Sequence, residues 1–293
     1  MERTAARRRS HGFRIIQSGP CRPVLFPDTI AVMKVISLQS GSNGNCFYVE
    51  TPKVRLLFDA GISARQAQLR LARHGRDITE VDALLISHDH SDHAKSMGIF
   101  QRKFDLPVYL TRRTLAAAQR YLKTGTMSKV RFFTAGSSIA FKDVVVHTIP
   151  TPHDSAEGVA FVVECGGQRV GILTDLGHAF DGLRDVLQSL DAVIIESNYD
   201  DAMLEHGRYP QQLKKRIRGD GGHLSNEDAA RLLRKTVDET SDNFRLQWAC
   251  LCHLSEDNNS PDVARRTHQR LLGDTIEIHV ASRYDVSDVM EVK

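Results

Sequence analysis

From Met33 onward the chain alternates short apolar runs with longer amphipathic ones. Short runs rich in Val, Ile, Leu and Phe, bounded by turn residues, predict β-strands. They fall at 34–39, 46–50, 54–58, 81–86, 107–110, 130–133, 144–149, 159–164, 169–174, 191–196, 246–252 and 275–280. Apolar positions at helical spacing predict helices over 63–74, 94–104, 112–122, 179–189, 210–218, 226–239 and 261–272. Ser225 and Asp228 resemble a capping box with Asp in place of Glu, and Ser260 before Pro261 is an N-cap followed by proline at the first helical position. Strands at hairpin spacing dominate the first half, and strand–helix alternation the second. No repeat or internal boundary interrupts 33–293, so one α/β domain is expected there.

Residues 1–32 lack periodicity, carry Pro20, Pro23 and Pro27, and hold six arginines against Glu2 and Asp28. A basic, disordered arm is expected there, either touching phosphates or, with Met33 as an alternative start, lying outside the natural protein. The arm holds +4 of the formal net charge of +3, which leaves the rest of the chain at −1. A near-neutral body gives no global argument for a nucleic-acid partner. Five cysteines without a C-x-x-C pair argue against a disulfide framework or zinc knuckle and for a reducing compartment, so a cytoplasmic protein is expected. No apolar stretch approaches the ~20 residues of a membrane span, and the N-terminus lacks the apolar core of a secretory signal.

The chemistry concentrates in ISHDHSDH, residues 86–93, directly after the apolar run VDALLI. His88, His90, Asp92 and His93 offer imidazole nitrogen and carboxylate oxygen, donors that suit zinc, manganese or iron. One ion needs three or four protein ligands, so this density with further candidates downstream suggests two ions. Asp89 reads as a solvated bystander. His153 in VVVHTIPTPHD, Asp175 in VGILTDLG and His253 in LQWACLCHLSEDNN each follow an apolar run, whereas His147 lies within its strand and reads as structural.

H-x-H-x-D-H, a distant His, an Asp after Thr and a late His, in that order, resemble the metallo-β-lactamase superfamily. The stretches SGSNGN, LLFDAG, ESNYDDAML, GRYP, GGHLSNEDAA and HLSEDNN resemble its YycJ/WalJ-like subgroup, related to the RNase Z and PhnP-type phosphodiesterases. The likeness runs from about residue 34 to 282. It implies a four-layer αββα sandwich of two mixed β-sheets flanked by helices, with the site at one edge. It also implies that His88, His90 and His153 hold one metal, that Asp92, His93 and His253 hold a second, and that Asp175 bridges them. Asp59 would orient a ligand histidine. His223 would contact the scissile phosphate or protonate the leaving oxygen, oriented by Glu196, with Ser225 and Asn226 as further phosphate contacts; Ser225 also reads simply as the helix cap.

The run GRYPQQLKKRIRGDGGH adds Arg208, Lys214, Lys215, Arg216 and Arg218 ahead of His223, read either as a track for a nucleic-acid backbone or as a solvated helix face. The expectation is a 5′→3′ DNA exonuclease using a metal-bridged hydroxide, with Asp92 helping to orient it, and with zinc favoured over manganese. An RNA-processing nuclease of RNase Z type and a glyoxalase II-like thioesterase or lactonase are the alternatives. The 78 residues from Asp175 to His253 leave no room for the extra domain of RNase J-type enzymes. A flavodiiron oxidoreductase fits poorly, because His90 stands where those proteins place glutamate. The resemblance also allows a homodimer.

Overall fold

The computed structural model describes residues 32–240 and 244–293; the arm expected over 1–32 lies, apart from Val32, outside them. One seven-stranded sheet contains β1 Met33–Gln39, β2 Cys46–Glu50, β3 Arg55–Phe58, β4 Ala83–Leu85, β5 Val108–Leu110, β6 Val130–Phe132 and β14 Met290–Val292, in the order β14-β1-β2-β3-β4-β5-β6. The other contains β7 Ser138–Phe141, β8 Val144–Pro150, β9 Val159–Cys165, β10 Gln168–Leu173, β11 Ala192–Glu196, β12 Trp248–Cys252 and β13 Glu277–Val280, in the order β13-β12-β11-β10-β9-β8-β7. Both are mixed in the same way. Pairing is antiparallel from β14 to β3 and from β7 to β10, then parallel from β3 to β6 and from β10 to β13.

The strands read as nearly unbroken apolar runs because both faces are covered. In β9, Val159, Phe161 and Val163 join the core between the sheets, while Ala160 and Val162 face a second core under helices. In β11, Ala192 and Ile194 turn inward, and Val193 and Ile195 outward. Phe58 of one sheet meets Phe161 of the other with ring centroids 5.1 Å apart. Full burial of each such ring contributes about 1.5–3 kcal/mol. Helices α1 Ala64–Arg73, α3 Met97–Phe104 and α4 Arg112–Tyr121 cover the first sheet through Leu71, Phe100 and Ala118. Helices α5 Leu183–Gln188, α8 Asn226–Glu239 and α9 Pro261–Leu272 cover the second through Leu187, Leu233 and Leu272. The order is helix, sheet, sheet, helix, as the family resemblance implies. Among the described residues no helix is long and apolar enough to cross a membrane.

The structure departs from the sequence reading at a few elements. The helix expected over 94–104 is broken into α2 Ser91–Ala94 and α3, because Ser96 donates its amide to the Ala60 carbonyl and the chain turns there. The helix expected over 179–189 begins only at Leu183. Strands β7 and β14 and helix α6 Asp201–His206 were not expected; each is short, and β7 is largely open to solvent. Helix α7 spans Gln211–Arg218.

The parallel halves gather the chemistry. β3 and β4 point the same way in one sheet, as do β10, β11 and β12 in the other, so their C-terminal ends deliver five loops to one edge. The Val159 amide donates to the Ser87 carbonyl across that edge. The backbone of Asp92 and His93 lies directly on Asp59–Gly61: Ala60 donates to the His93 carbonyl, and Asn45 to the Asp92 carbonyl. A Cβ on Gly61 would stand 1.6 Å from the Asp92 carbonyl oxygen, so only glycine fits. Gly61→Ala is therefore expected to destabilise the fold by about 1–3 kcal/mol, measured by urea unfolding. An unchanged midpoint would show that this backbone contact is not required.

Candidate metal centre

Asp59 begins the site. It follows β3 with φ 63°, and its carboxylate accepts from the Ser87 amide at 2.8 Å and from Ser87 Oγ at 2.9 Å. The same carboxylate accepts from His93 Nδ1 at 2.7 Å. Since the Ser87 hydroxyl proton goes to Asp59, Ser87 Oγ accepts from His88 Nδ1 at 2.9 Å. His153 Nδ1 donates to the Gly222 carbonyl at 2.9 Å. Each of these three histidines has Nδ1 engaged by an acceptor, which fixes its ring and presents Nε2 to the centre, the arrangement that orients metal-binding imidazoles.

Imidazole nitrogens and carboxylates converge, with His90 Nδ1 3.2 Å from His153 Nε2. His88, His90 and His153 form one group, Asp92, His93 and His253 a second, and His88, His93 and Asp175 a third, with the ligand atoms of each group within 4.8 Å of one another. Asp175 and His253 stand at strand ends with φ of 53° and 54°. Such left-handed backbone is uncommon outside glycine, with Asp and His among the residues that tolerate it, and it clusters at functional sites. Asp175 Oδ2 lies 3.0 Å from His93 Nε2, and Asp175 Oδ1 3.6 Å from His153 Nε2 and 3.4 Å from His253 Nδ1. His253 Nε2 lies 3.1 Å from Asp92 Oδ2.

This donor set fits divalent metal ions. His88 Nε2 is buried without a hydrogen-bond partner, and an orphaned buried polar atom costs about 1–3 kcal/mol unless something else satisfies it. Imidazole nitrogen and carboxylate oxygen are the ligands that zinc and manganese accept.

The electrostatics agree. Burial works to raise the Asp175 carboxyl, but His253, His93 and His153 outweigh it and hold it well below the usual carboxylate range. Glu196 is fully buried, yet its contacts with His223 and His253 bring it down to about 2. Burial, with His93 next, keeps His88 well below the ordinary imidazole value, so it stays neutral. Burial works to lower His253, but Asp175, Asp92 and Glu196 raise it to about 10, and Asp175, Asp59 and Asp92 likewise raise His93.

His223 sits at the rim. Its Nδ1 donates to Glu196 Oε1 at 2.5 Å, while Glu196 Oε2 accepts the amides of Leu176 at 3.0 Å and Leu224 at 3.3 Å. With Nδ1 held, Nε2 is the ring atom left for the cleft, a space of about 360 Å³ that His223 lines together with His90, Asp92, Asp175 and His253.

The remaining candidates are placed elsewhere. Ser225 Oγ caps α8 by accepting from the Asp228 amide, and Asn226 is buried in bonds with Ser197 and Asn259, so the polar groups of both are taken up inside the fold. Lys214 is 5% exposed and donates to the Glu205 carbonyl at the end of α6. Arg218 pairs with Glu205. Arg208 and Lys215 are exposed and do not line the cleft; Arg216 does. Asp89 is no bystander: it accepts the Ala156 amide at 2.8 Å and ties the His88–His93 loop to the His153 loop. His147 bonds Ser138 and Glu164 on its own sheet. Asn45 was not singled out, although SGSNGN contains it. Its Oδ1 accepts from Ser40 and Gly41, which fixes the amide so that Nδ2 lies 3.0 Å from His93 Nε2. Asn198 does the same for His253, donating to its carbonyl at 2.7 Å.

Residues 54–240 match the beta-lactamase superfamily domain. The chain is 35% identical over 250 residues to exodeoxyribonuclease YycJ of Bacillus anthracis, covering 83% of this chain and 92% of that one. It is 34% identical over 232 residues to exodeoxyribonuclease WalJ of Streptococcus pneumoniae, covering 78% and 84%. The metallo-beta-lactamase fold protein YhfI of Bacillus subtilis superimposes with a TM-score of 0.67 at 17% identity, over 89% of this chain and 99% of that one, which establishes the fold.

The carboxylates around His93 and His253 favour their protonated forms, and a cation on the same atoms competes with those protons. Metal binding is therefore expected to release protons, and affinity to rise with pH by about tenfold per unit for each proton displaced. Calorimetric titration in buffers of different ionisation enthalpy measures this. Binding enthalpy independent of the buffer would contradict it.

Proposed function

We propose that this chain, which belongs to the beta-lactamase superfamily and within it to the family of the YycJ and WalJ exodeoxyribonucleases, is a metal-dependent phosphodiesterase that removes nucleotides from the 5′ end of DNA. The observation that carries the reading is the convergence of two His/Asp groups on Asp175, with His223 held by Glu196 at the rim of the same cleft. In this reading His88, His90 and His153 hold one ion, Asp92, His93 and His253 hold a second, and Asp175 is shared. Zinc suits these ligands best and manganese next. Bound divalent ions supply positive charge against the phosphoryl oxygens and bring the pKa of water toward about 7.

The chain's own residues do the rest. Asp59, Ser87 and the Gly222 carbonyl fix the ligand rings, so little reorganisation accompanies the reaction. Asp92 stands at the edge of the cleft with part of its carboxylate exposed and can orient the attacking water. Glu196 accepts the Nδ1–H hydrogen bond of His223, so that in the imidazolium form the Nε2–H can hydrogen-bond a phosphoryl oxygen or pass its proton to the leaving oxygen. The partly open cleft suits a strand end lying over the metals, and the names of the two relatives support DNA as the strand.

The test is a paired assay with zinc or manganese on 5′- and 3′-labelled single- and double-stranded DNA and matching RNA. Mononucleotides are expected early from the 5′ end of DNA, and none from Asp92→Ala/His93→Ala. His223→Ala is expected to lose about 10²–10⁴-fold in kcat while keeping its metal. Intact DNA with metal bound would overturn the proposal, and release from RNA alone would move it to RNA processing.

A further inference from the structure

In the nuclease reading a polyanionic strand must enter the cleft over the metal groups. Among the described residues, Arg216 is the one arginine or lysine that lines it. The rest of the basic run is committed elsewhere or lies off the cleft, with Lys214 turned into the fold and Arg218 on Glu205. Arg216 belongs to the last turn of α7, and it is held by a two-pronged contact with Asp154: Nε to Oδ2 at 2.6 Å and Nη2 to Oδ1 at 3.1 Å. Asp154 directly follows His153, and its amide donates to the Gly221 carbonyl in the loop that leads to His223. Its Oδ1 lies 3.6 Å from His153 Nε2 and 3.9 Å from His90 Nε2. One carboxylate thus separates the guanidinium from the histidine pair. Below Arg216, Tyr209, Leu213 and Ile217 form an apolar wall of the same cleft.

We propose, on the basis of the nuclease reading above, that Arg216 binds the phosphate adjoining the scissile one, and that Asp154 is the positioning residue that sets its fork across the mouth of the cleft. A guanidinium has five N–H donors in a rigid plane; two serve Asp154, and the remaining three match the oxygens of a phosphate. The scissile phosphate belongs to the metal groups and His223. The group displaced from them by one carboxylate meets the next phosphate, and the apolar wall accommodates the intervening sugar or base. Arg216 therefore acts on strand binding and register rather than on the chemical step.

Steady-state kinetics on single-stranded DNA with manganese test this, comparing the unchanged enzyme with Arg216→Gln, Arg216→Lys, Asp154→Asn and the double variant Asp154→Asn/Arg216→Gln. Arg216→Gln is expected to raise KM by about 10- to 100-fold with kcat within a few-fold, in line with loss of one charged hydrogen-bonding group. The slope of log affinity against log salt should shrink by about 0.7, one phosphate contact on a single strand. Arg216→Lys should recover part of the loss, and Asp154→Asn should raise KM alone but add nothing once Arg216 is gone. Metal content should match the unchanged enzyme in every variant. Unchanged KM and salt slope in Arg216→Gln would overturn the proposal. So would a fall in metal content in Asp154→Asn, which would make Asp154 a ligand and Arg216 its partner. If the unchanged enzyme leaves DNA intact, the nuclease reading fails and this one with it; cleavage by the unchanged enzyme with an indifferent Arg216 removes this one alone.

Discussion

Three carboxylates, Asp59, Asp175 and Glu196, lie buried within one small region, with a fourth, Asp92, at its edge. Withdrawing an ionised group from water costs several kcal/mol unless it is paired and hydrogen-bonded, and removing only one partner leaves the other stranded. The organisation of this edge of the sandwich follows from meeting that cost. Asp59 is satisfied by Ser87 and His93, and Glu196 by His223 and two backbone amides. Asp175 is flanked by His93, His153 and His253, and His88 Nε2 beside them keeps no hydrogen-bond partner. That remaining demand is what a divalent cation meets, so stability and metal binding in this protein are expressions of the same electrostatic requirement.

The sandwich supplies the rigidity this requires. Left-handed backbone at Asp59, Asp175 and His253 costs of order 1–3 kcal/mol each and persists only where the surroundings dictate it. Here the surroundings are strands covered on both faces, whose ends bring Asp175 against His253 and Asp59 against His93. The close approach of the Asp92 carbonyl to Gly61, and of the Ile217 carbonyl to Gly222, where a Cβ would stand 2.1 Å away, removes remaining freedom from the loops. A scaffold of this kind holds ligand atoms at metal-binding separations with most of the ordering done during folding.

Much of this was legible in the sequence, for identifiable reasons. Strands buried on both faces leave long apolar runs, so the central strands were placed within a residue or two, whereas β7 and β14 are too short, and β7 too exposed, to leave a pattern. The break between α2 and α3 arises from a tertiary bond, Ser96 to Ala60, which helical periodicity does not record. The histidines and aspartates that converge were visible because so many at strand ends have no other use. Asn45, Ser87 and Asn198 were not, because uncharged polar residues beside strands also make ordinary turns. The basic run gave composition without direction. Leu213 and Ile217 at i, i+4 mark the inward face of α7, and that face carries Lys214 inward while Arg216 reaches the cleft.

The central claim is that the buried carboxylates at this edge are stabilised jointly by their histidines and by bound cations. The most direct measurement is thermal unfolding of the chelator-treated protein, with and without added zinc or manganese, alongside Asp175→Asn. The account predicts a large rise in Tm on adding metal, growing with its free concentration as binding to the folded state alone requires, and a much smaller rise in the variant. A transition that ignores metal at concentrations where binding is detected, or an equal rise in Asp175→Asn, would contradict it.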